Sequence, residues 1–141
     1  MNKTLTYKIV GAGVTITGAT DNRMLGKLVI PDKINGKSVT AIGDEAFREC
    51  SALKSVMIPA SVTLIGALAF FKCSGLISVT IPSSVKSIGG SAFQGCSGLL
   101  GITIPSSVRI ISDFAFQGCK GLTAKTIKAN TPTVAHILAQ V

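Results

Sequence analysis

The sequence has few charged and few aromatic side chains, and it lacks a long apolar run. Charged residues make up 14% of the 141 residues, and the chain has no tryptophan, one tyrosine and one histidine. Its 47% hydrophobic content excludes a disordered chain, because disorder requires low hydrophobicity and high charge. The longest apolar stretch, Leu64–Phe71, has eight residues, whereas a membrane-spanning helix needs about 20. We therefore expect no membrane insertion.

Acidic residues are also scarce. Six Asp and Glu stand against fourteen Lys and Arg, which gives a net charge of +8, so an acidic partner is expected rather than a basic one. Nucleic acid is disfavoured as that partner, because single-strand binding generally uses exposed aromatic side chains as stacking platforms. Lys86 and Arg109, which share one position of the repeat described next, are interpreted first as part of a solvated surface; weak attraction to acidic glycans or cell surfaces is the functional alternative.

A repeat of 23 residues fills positions 39–130 without a gap. Its four units begin VTAIG, VTLIG, VKSIG and VRIIS. A unit this short cannot bury its own apolar face, so the units must stack and share one core. Two columns of identical residues are predicted to be structural members of that core: Phe47, Phe70, Phe93 and Phe116, and Cys50, Cys73, Cys96 and Cys119.

Each unit contains a predicted strand that ends at a proline, as in Leu76-x-x-Val79-x-Ile81-Pro82. The L-x-x-L-x-L spacing is typical of a leucine-rich-repeat strand, and proline ends it because proline has no N–H for the ladder. The segment before the strand is predicted to form one helical or 3₁₀ turn on the convex side. The predicted fold is α/β and rich in β-strand: a right-handed leucine-rich-repeat solenoid with a parallel sheet on its concave face.

The unit I-G-x-x-A-F-x-x-C-x-x-L-x-x-V-x-I-P-x-S-V closely resembles the BspA-like, or Treponema-type, leucine-rich repeat. The resemblance covers residues 39–130 and extends to an opening repeat over residues 28–43. It implies a non-enzymatic bacterial protein, often exposed at the cell surface, that binds host matrix proteins or other bacteria. An extracellular or surface location is therefore expected. A cytoplasmic location stays open, because the first residues lack the apolar segment of a signal peptide.

Both ends of the chain are predicted to be caps within a single domain. Residues 1–38 should form a hairpin, turning at Gly11–Gly13, and the opening repeat. Lys125 stands where other units have a buried Val or Ile, as expected of a terminal rung. Residues 131–141 place Val134, Ile137 and Leu138 at helical spacing, which predicts a capping helix; a truncated fifth repeat is the alternative.

Few residues are candidates for chemistry. The four cysteines recur once per repeat, so their sulfurs should be separated by rungs of about 4.8 Å and cannot converge on one zinc ion. We interpret them as reduced, buried and apolar. His136 has no predicted Ser, Cys or Asp partner, and the acids Asp44, Glu45 and Glu49 occur in one repeat only. No catalytic residue, metal site or cofactor is predicted.

The outward positions of the strands are the predicted contact surface. Thr80, Thr103 and Thr126 should form a ladder, and Met57, Ile77 and Leu100 should expose an apolar strip. We predict a non-enzymatic, adhesin-like binding module that contacts a protein or glycan through these positions. The alternative is a self-associating structural or intracellular interaction scaffold. The predicted ligand contacts are Lys54, Met57, Ile77, Thr80, Leu100, Thr103 and Thr126.

Overall fold

The computed structural model describes residues 5–20 and 26–141. The predicted N-terminal unit includes residues 1–4 and 21–25, which lie outside the described residues. The elements, in chain order, are β1 (Leu5–Val10), β2 (Gly13–Ala19), β3 (Lys27–Val29), β4 (Lys33–Ile34), β5 (Lys37–Ile42), β6 (Ser55–Met57), β7 (Leu64–Ile65), β8 (Ser78–Thr80), β9 (Ser87–Ile88), β10 (Ile102–Thr103), β11 (Ile110–Ile111), β12 (Ile127–Lys128) and α1 (Thr131–Leu138).

The strands stack on two sides of a β-solenoid. Sheet I has the order β1-β2-β5-β7-β9-β11, with β4 paired to β5. On the other side, β3, β6 and β8 pair in parallel, as do β10 and β12. The Leu100 N–H donates to the Ile77 carbonyl at 3.2 Å, between these two groups. We call these five strands sheet II. The predicted stacked solenoid with a parallel sheet is thus confirmed.

The alternation of each strand explains why sheet II packs on the core. Val56, Val79 and Ile102 are buried, whereas the residue that follows each of them is exposed. In the first three units of the 23-residue repeat, proline comes three positions after this buried residue. Its carbonyl accepts a hydrogen bond of 3.1 Å from the N–H of the valine that opens the next unit, as Pro82 does from Val85. This bond turns the chain from sheet II toward sheet I.

The predicted structural columns lie at the centre. All four repeat phenylalanines are fully buried, and consecutive rings stack with centroids 5.5, 5.2 and 5.3 Å apart. The N–H of one phenylalanine donates to the next repeat, as from Phe70 to the Ala92 carbonyl at 2.7 Å. Each ring therefore fills the core while its own backbone bonds the neighbouring repeat.

The prediction of a helical or 3₁₀ turn in each repeat was wrong. Residues 44–49, 67–72, 90–95 and 113–118 form consecutive turns, which we call the turn ribbon. In its first copy, the Ala46 N–H donates back to Gly43, but the Phe47 N–H donates to Ala69 of the next repeat. Glu45 and Glu49 have φ of 60° and 59°. Positive φ interrupts a right-handed helix and directs alternate N–H groups toward the neighbouring repeat.

The last repeat departs from the 23-residue register. Ile127 pairs with Ile102, a separation of 25 residues, and Thr123–Thr126 form a turn that absorbs the two extra positions. An unbroken period would place Lys125 opposite Ile102 and bury its charge, which is costly without a partner. With the shift, Ile127 is buried and Lys125 is exposed.

The N-terminal end is closed by the predicted hairpin. β1 and β2 pair antiparallel around Gly11 and Ala12, and β2 pairs in parallel with β5. Val14 and Ile16 are fully buried, but Tyr7 and Ile9 are exposed. The second hairpin strand therefore covers most of this end of the core, and the first strand contributes Leu5, which is also buried.

The C-terminal end is closed by α1, so these residues form the predicted capping helix rather than a further repeat. Asn130 caps its N-terminus by accepting from the Thr133 N–H at 3.0 Å, and Ile137 is fully buried. The Gln140 Oε1 accepts from the Phe116 N–H at 2.9 Å. In the earlier repeats the phenylalanine N–H donates to an alanine carbonyl of the following repeat, as from Phe93 to Ala115. The Gln140 side chain therefore takes the place of that alanine carbonyl.

Replacing Gln140 should therefore destabilise the terminal repeat. Gln140→Ala leaves the Phe116 N–H without its acceptor and should lower the free energy of unfolding by about 1 kcal/mol. Gln140→Glu keeps an acceptor oxygen and is the matched control. Urea unfolding followed by circular dichroism measures both variants. If the alanine variant unfolds at the same urea concentration as the glutamate variant, the side chain is not a cap.

Candidate binding surface

The outward positions of sheet II form rows across the repeats. One row follows the ends of the strands and contains Val29, Met57, Thr80, Thr103 and Lys128. A second row lies just before three of the strands and contains Lys54, Ile77 and Leu100, linked by hydrogen bonds from Ile77 N–H to Lys54 O and from Leu100 N–H to Ile77 O.

The apolar residues of this surface form two pairs. Val29 and Met57 are register partners and are 55% and 49% exposed, while Ile77 and Leu100 are 47% and 62% exposed. Met57 pairs with Thr80, which lies three residues after Ile77, so the two pairs are offset by roughly 10 Å along the strand direction. The three predicted residues therefore do not form one continuous strip, and that part of the prediction was wrong. Sequence reasoning missed Val29, although its alternation with Leu28 and Ile30 was visible.

The threonine ladder is shorter than predicted. Thr80 and Thr103 are exposed at the ends of β8 and β10. Thr126 was wrongly placed beside them, because the shift of the last repeat puts it in the Thr123–Thr126 turn and pairs Thr103 with Lys128. The end of this row is therefore a cation rather than a hydroxyl.

The charges are divided between surfaces. Lys27, Lys54 and Lys128 lie on or beside the strands of sheet II. The acids of the described residues lie elsewhere, in the turn ribbon or in the loop after β3: Asp32, Asp44, Glu45, Glu49 and Asp113. Within the turn ribbon, Arg48 pairs with Glu45 at 3.3 Å and with Glu49 at 3.6 Å. The exposed face of sheet II is therefore basic.

The outer face of sheet I has a different pattern. Leu64 and Ile110 are 43% and 58% exposed, but Ser87 lies between them in the register. Lys86 and Arg109 lie one position before the β9 and β11 strands, and the Arg109 N–H donates to the Lys86 carbonyl at 2.8 Å. A shallow groove of about 380 Å³ lies beside Leu64 at the hairpin end.

The cysteine column is buried and free of disulfide bonds. The thiols of Cys73, Cys96 and Cys119 donate to the carbonyls of Phe47, Phe70 and Phe93 at 3.1, 3.2 and 3.0 Å. Burial raises the pKa of Cys50 from 9.0 to about 11 and those of Cys73 and Cys119 to about 12, and it also raises the pKa of Cys96. Protonated, enclosed thiols are poor nucleophiles and poor metal ligands, so the column is part of the core.

The remaining candidates for chemistry lie apart from one another. His136 is exposed on α1, with its Nε2 3.1 Å from the Gln140 Nε2. Asp44 accepts from the Ala67 N–H at 2.9 Å and so bonds two repeats. Within residues 5–20 and 26–141, no three His, Cys, Asp or Glu side chains come together as a metal site. No helix in the same residues is long and apolar enough to cross a membrane.

The fold and its columns define a leucine-rich-repeat solenoid. A family profile described as the BspA type leucine-rich repeat region matches residues 22–137 in six copies. The chain belongs to this family, as its repeat motif predicted. Comparison with curated proteins gave no match.

Solved structures of bacterial leucine-rich-repeat proteins are similar. One from T. pallidum is 30% identical with a TM-score of 0.83, over 87% of this chain and 57% of its own. A leucine-rich cell surface protein from Faecalibacterium prausnitzii is 36% identical with a TM-score of 0.78, over 86% and 34%. One from Bacteroides capillosus is 34% identical with a TM-score of 0.71, over 78% and 84%. The chain thus spans about half and a third of the first two proteins.

The raised thiol pKa values predict a loss of stability in alkali. Unfolded cysteines ionise near pH 9 and the buried ones only at about 11 to 12. The free energy of unfolding should therefore be unaffected below pH 9 and should fall above it, by at most about 1.4 kcal/mol per pH unit for each thiol. Urea unfolding across this range measures the slope. The double variant Cys73→Ala/Cys119→Ala should show a shallower slope, and an unchanged slope would contradict the assignment.

Proposed function

We propose that this protein is an adhesin-like binding module without catalytic activity, which contacts a protein or glycan through the exposed, concave side of sheet II. The observation that carries the proposal is that exposed apolar side chains on neighbouring strands of this sheet lie next to each other. Two pairs of large apolar side chains are about half exposed on adjoining rungs, beside three lysines. Exposed apolar groups of this kind usually mark contact sites on soluble proteins.

Membership of a repeat family supports a binding role, because stacked repeats build extended recognition surfaces. The proposed ligand contacts are Lys54, Met57, Ile77, Thr80, Leu100 and Thr103, with Val29 added from the register of β3 and β6. Thr126 is left out because its hydroxyl contacts Thr123 within the turn. A surface location is part of the proposal, and the F. prausnitzii relative named as a cell surface protein supports it. Protease treatment of intact source cells tests the location: release of the protein supports surface exposure, and protection until lysis supports an intracellular scaffold.

A self-associating scaffold is the second candidate function. The same apolar pairs favour it, because a second copy of the chain would also cover them. Light scattering coupled to size-exclusion chromatography separates the two candidates. A mass of 14.5 kDa at every concentration would contradict the scaffold, whereas a mass that rises with concentration would favour it.

The contact surface is tested by a double substitution with a matched control. Ile77→Ser/Leu100→Ser removes one apolar pair from sheet II, and Leu64→Ser/Ile110→Ser removes residues of similar exposure from sheet I. Both variants should fold, because these side chains lie outside the core. We expect the first to weaken binding to a panel of purified matrix proteins by about tenfold to a hundredfold, because covering the exposed half of two such side chains is worth about 1.5 to 3 kcal/mol. We expect the second to bind like the wild type.

The readout is surface plasmon resonance, with circular dichroism confirming that both variants are folded. Equal binding by the Ile77→Ser/Leu100→Ser variant and the wild type would show that the ligand does not contact this part of sheet II. Weakening in the sheet I variant alone would assign the contact to the opposite side.

A further inference from the structure

We propose that the partner of sheet II is an extended polypeptide segment that combines acidic and apolar side chains, rather than a glycan. The inference rests on the proposed function and names the class of partner. Its basis is the joint pattern of charge and apolar exposure on one face of the solenoid.

The charge of the face favours acidic groups. Lys27, Lys54 and Lys128 lie on the first, second and last of its five rungs, so cations stand near both ends. No acid of the described residues lies on the strands of sheet II. Complementary charge steers association and sets the register of a partner, so a carboxylate is expected near one end of the bound segment.

The apolar pairs select a polypeptide over a glycan. Val29 with Met57, and Ile77 with Leu100, occupy adjoining rungs and leave about half of each side chain exposed. A sulfated or carboxylated sugar would satisfy the lysines but leave these groups in contact with water. A peptide that carries both apolar and acidic side chains contacts both kinds of group, and burial of the apolar surface supplies the main driving force.

The spacing sets the length of the segment. Five rungs about 4.8 Å apart span roughly 19 Å, which an extended chain crosses in about six residues. A segment that runs straight across the strands along one row meets one apolar pair and one lysine: Lys54 next to Ile77 and Leu100, or Lys128 at the far end from Val29 and Met57.

Sheet I provides the contrast that makes the assignment specific. It also carries cations, Lys86 and Arg109, but Ser87 separates Leu64 from Ile110 in the register. Charge alone would permit binding on either face. The other large exposed apolar residues of sheet I, Tyr7, Ile9 and Val10, belong to the antiparallel hairpin strand β1. Among the parallel strands, adjoining apolar rungs with lysines near them are found on sheet II.

The test is a selection from a library of random linear peptides displayed on phage, using the immobilised wild-type protein. Selected peptides are then synthesised, and their affinities are measured for four variants. Lys54→Gln/Lys128→Gln removes charge from sheet II, and Lys86→Gln/Arg109→Gln removes the same charge from sheet I. Ile77→Ser/Leu100→Ser and Leu64→Ser/Ile110→Ser make the matching apolar comparison.

We expect the selected peptides to be enriched in Asp or Glu together with apolar residues. Their affinity should fall about threefold to tenfold in Lys54→Gln/Lys128→Gln at low salt, and this loss should shrink at high salt because screening weakens exposed charge pairs. The two sheet I variants should bind like the wild type.

Three other results would overturn the inference. If the selected peptides bind less well to Ile77→Ser/Leu100→Ser but contain no excess of Asp or Glu, the proposed binding surface is supported and the acidic character of the partner is contradicted. Peptides that bind equally well to Ile77→Ser/Leu100→Ser would remove both the inference and the proposed surface. A library without any binder, combined with heparin binding that requires Lys54 and Lys128, would assign the face to glycans.

Discussion

Direct stacking of one 23-residue unit on the next is the constraint on which the rest of the structure depends. Ring stacking from Phe47 to Phe116, hydrogen bonds from cysteine thiols to phenylalanine carbonyls, and backbone bonds on all sides of the solenoid repeat at this period. None of these interactions exists within one unit alone. Stability therefore comes from neighbours, and the two end units need substitutes, which β2 and Gln140 provide.

The apolar columns could be predicted from the sequence, because identical residues at a fixed period occupy equivalent positions in stacked repeats and so lie next to one another. The turn ribbon could not, because its first positive-φ position is held by four different residues and never by glycine: Glu45, Leu68, Ser91 and Phe114. Its second positive-φ position is glycine only in the last two repeats, at Gly95 and Gly118. The shift at Ile127 was missed for another reason. The cost of burying the Lys125 charge is greater than the benefit of keeping the 23-residue register. This shift shows only in the pairing of β10 with β12.

The candidate surface was predictable in part. Alternation along the strands identified Met57, Ile77 and Leu100 as outward, and all three are exposed. Their grouping into pairs depends on register between repeats, which also brings Val29 beside Met57. Core columns are constrained by packing and outward positions are not, so the outward rows can vary without disturbing the fold. The binding role proposed for these rows therefore rests on a scaffold that solved bacterial relatives share.

The most direct test of this account is methyl-resolved NMR of the protein titrated with an acidic, apolar peptide. The spectrum reports both faces at once, since each carries exposed methyl groups. The account predicts that the perturbed signals belong to Val29, Met57, Ile77 and Leu100, while those of Leu64 and Ile110 stay in place. Perturbation confined to Leu64, Ile110 or the β1 strand would show that recognition does not occur on sheet II.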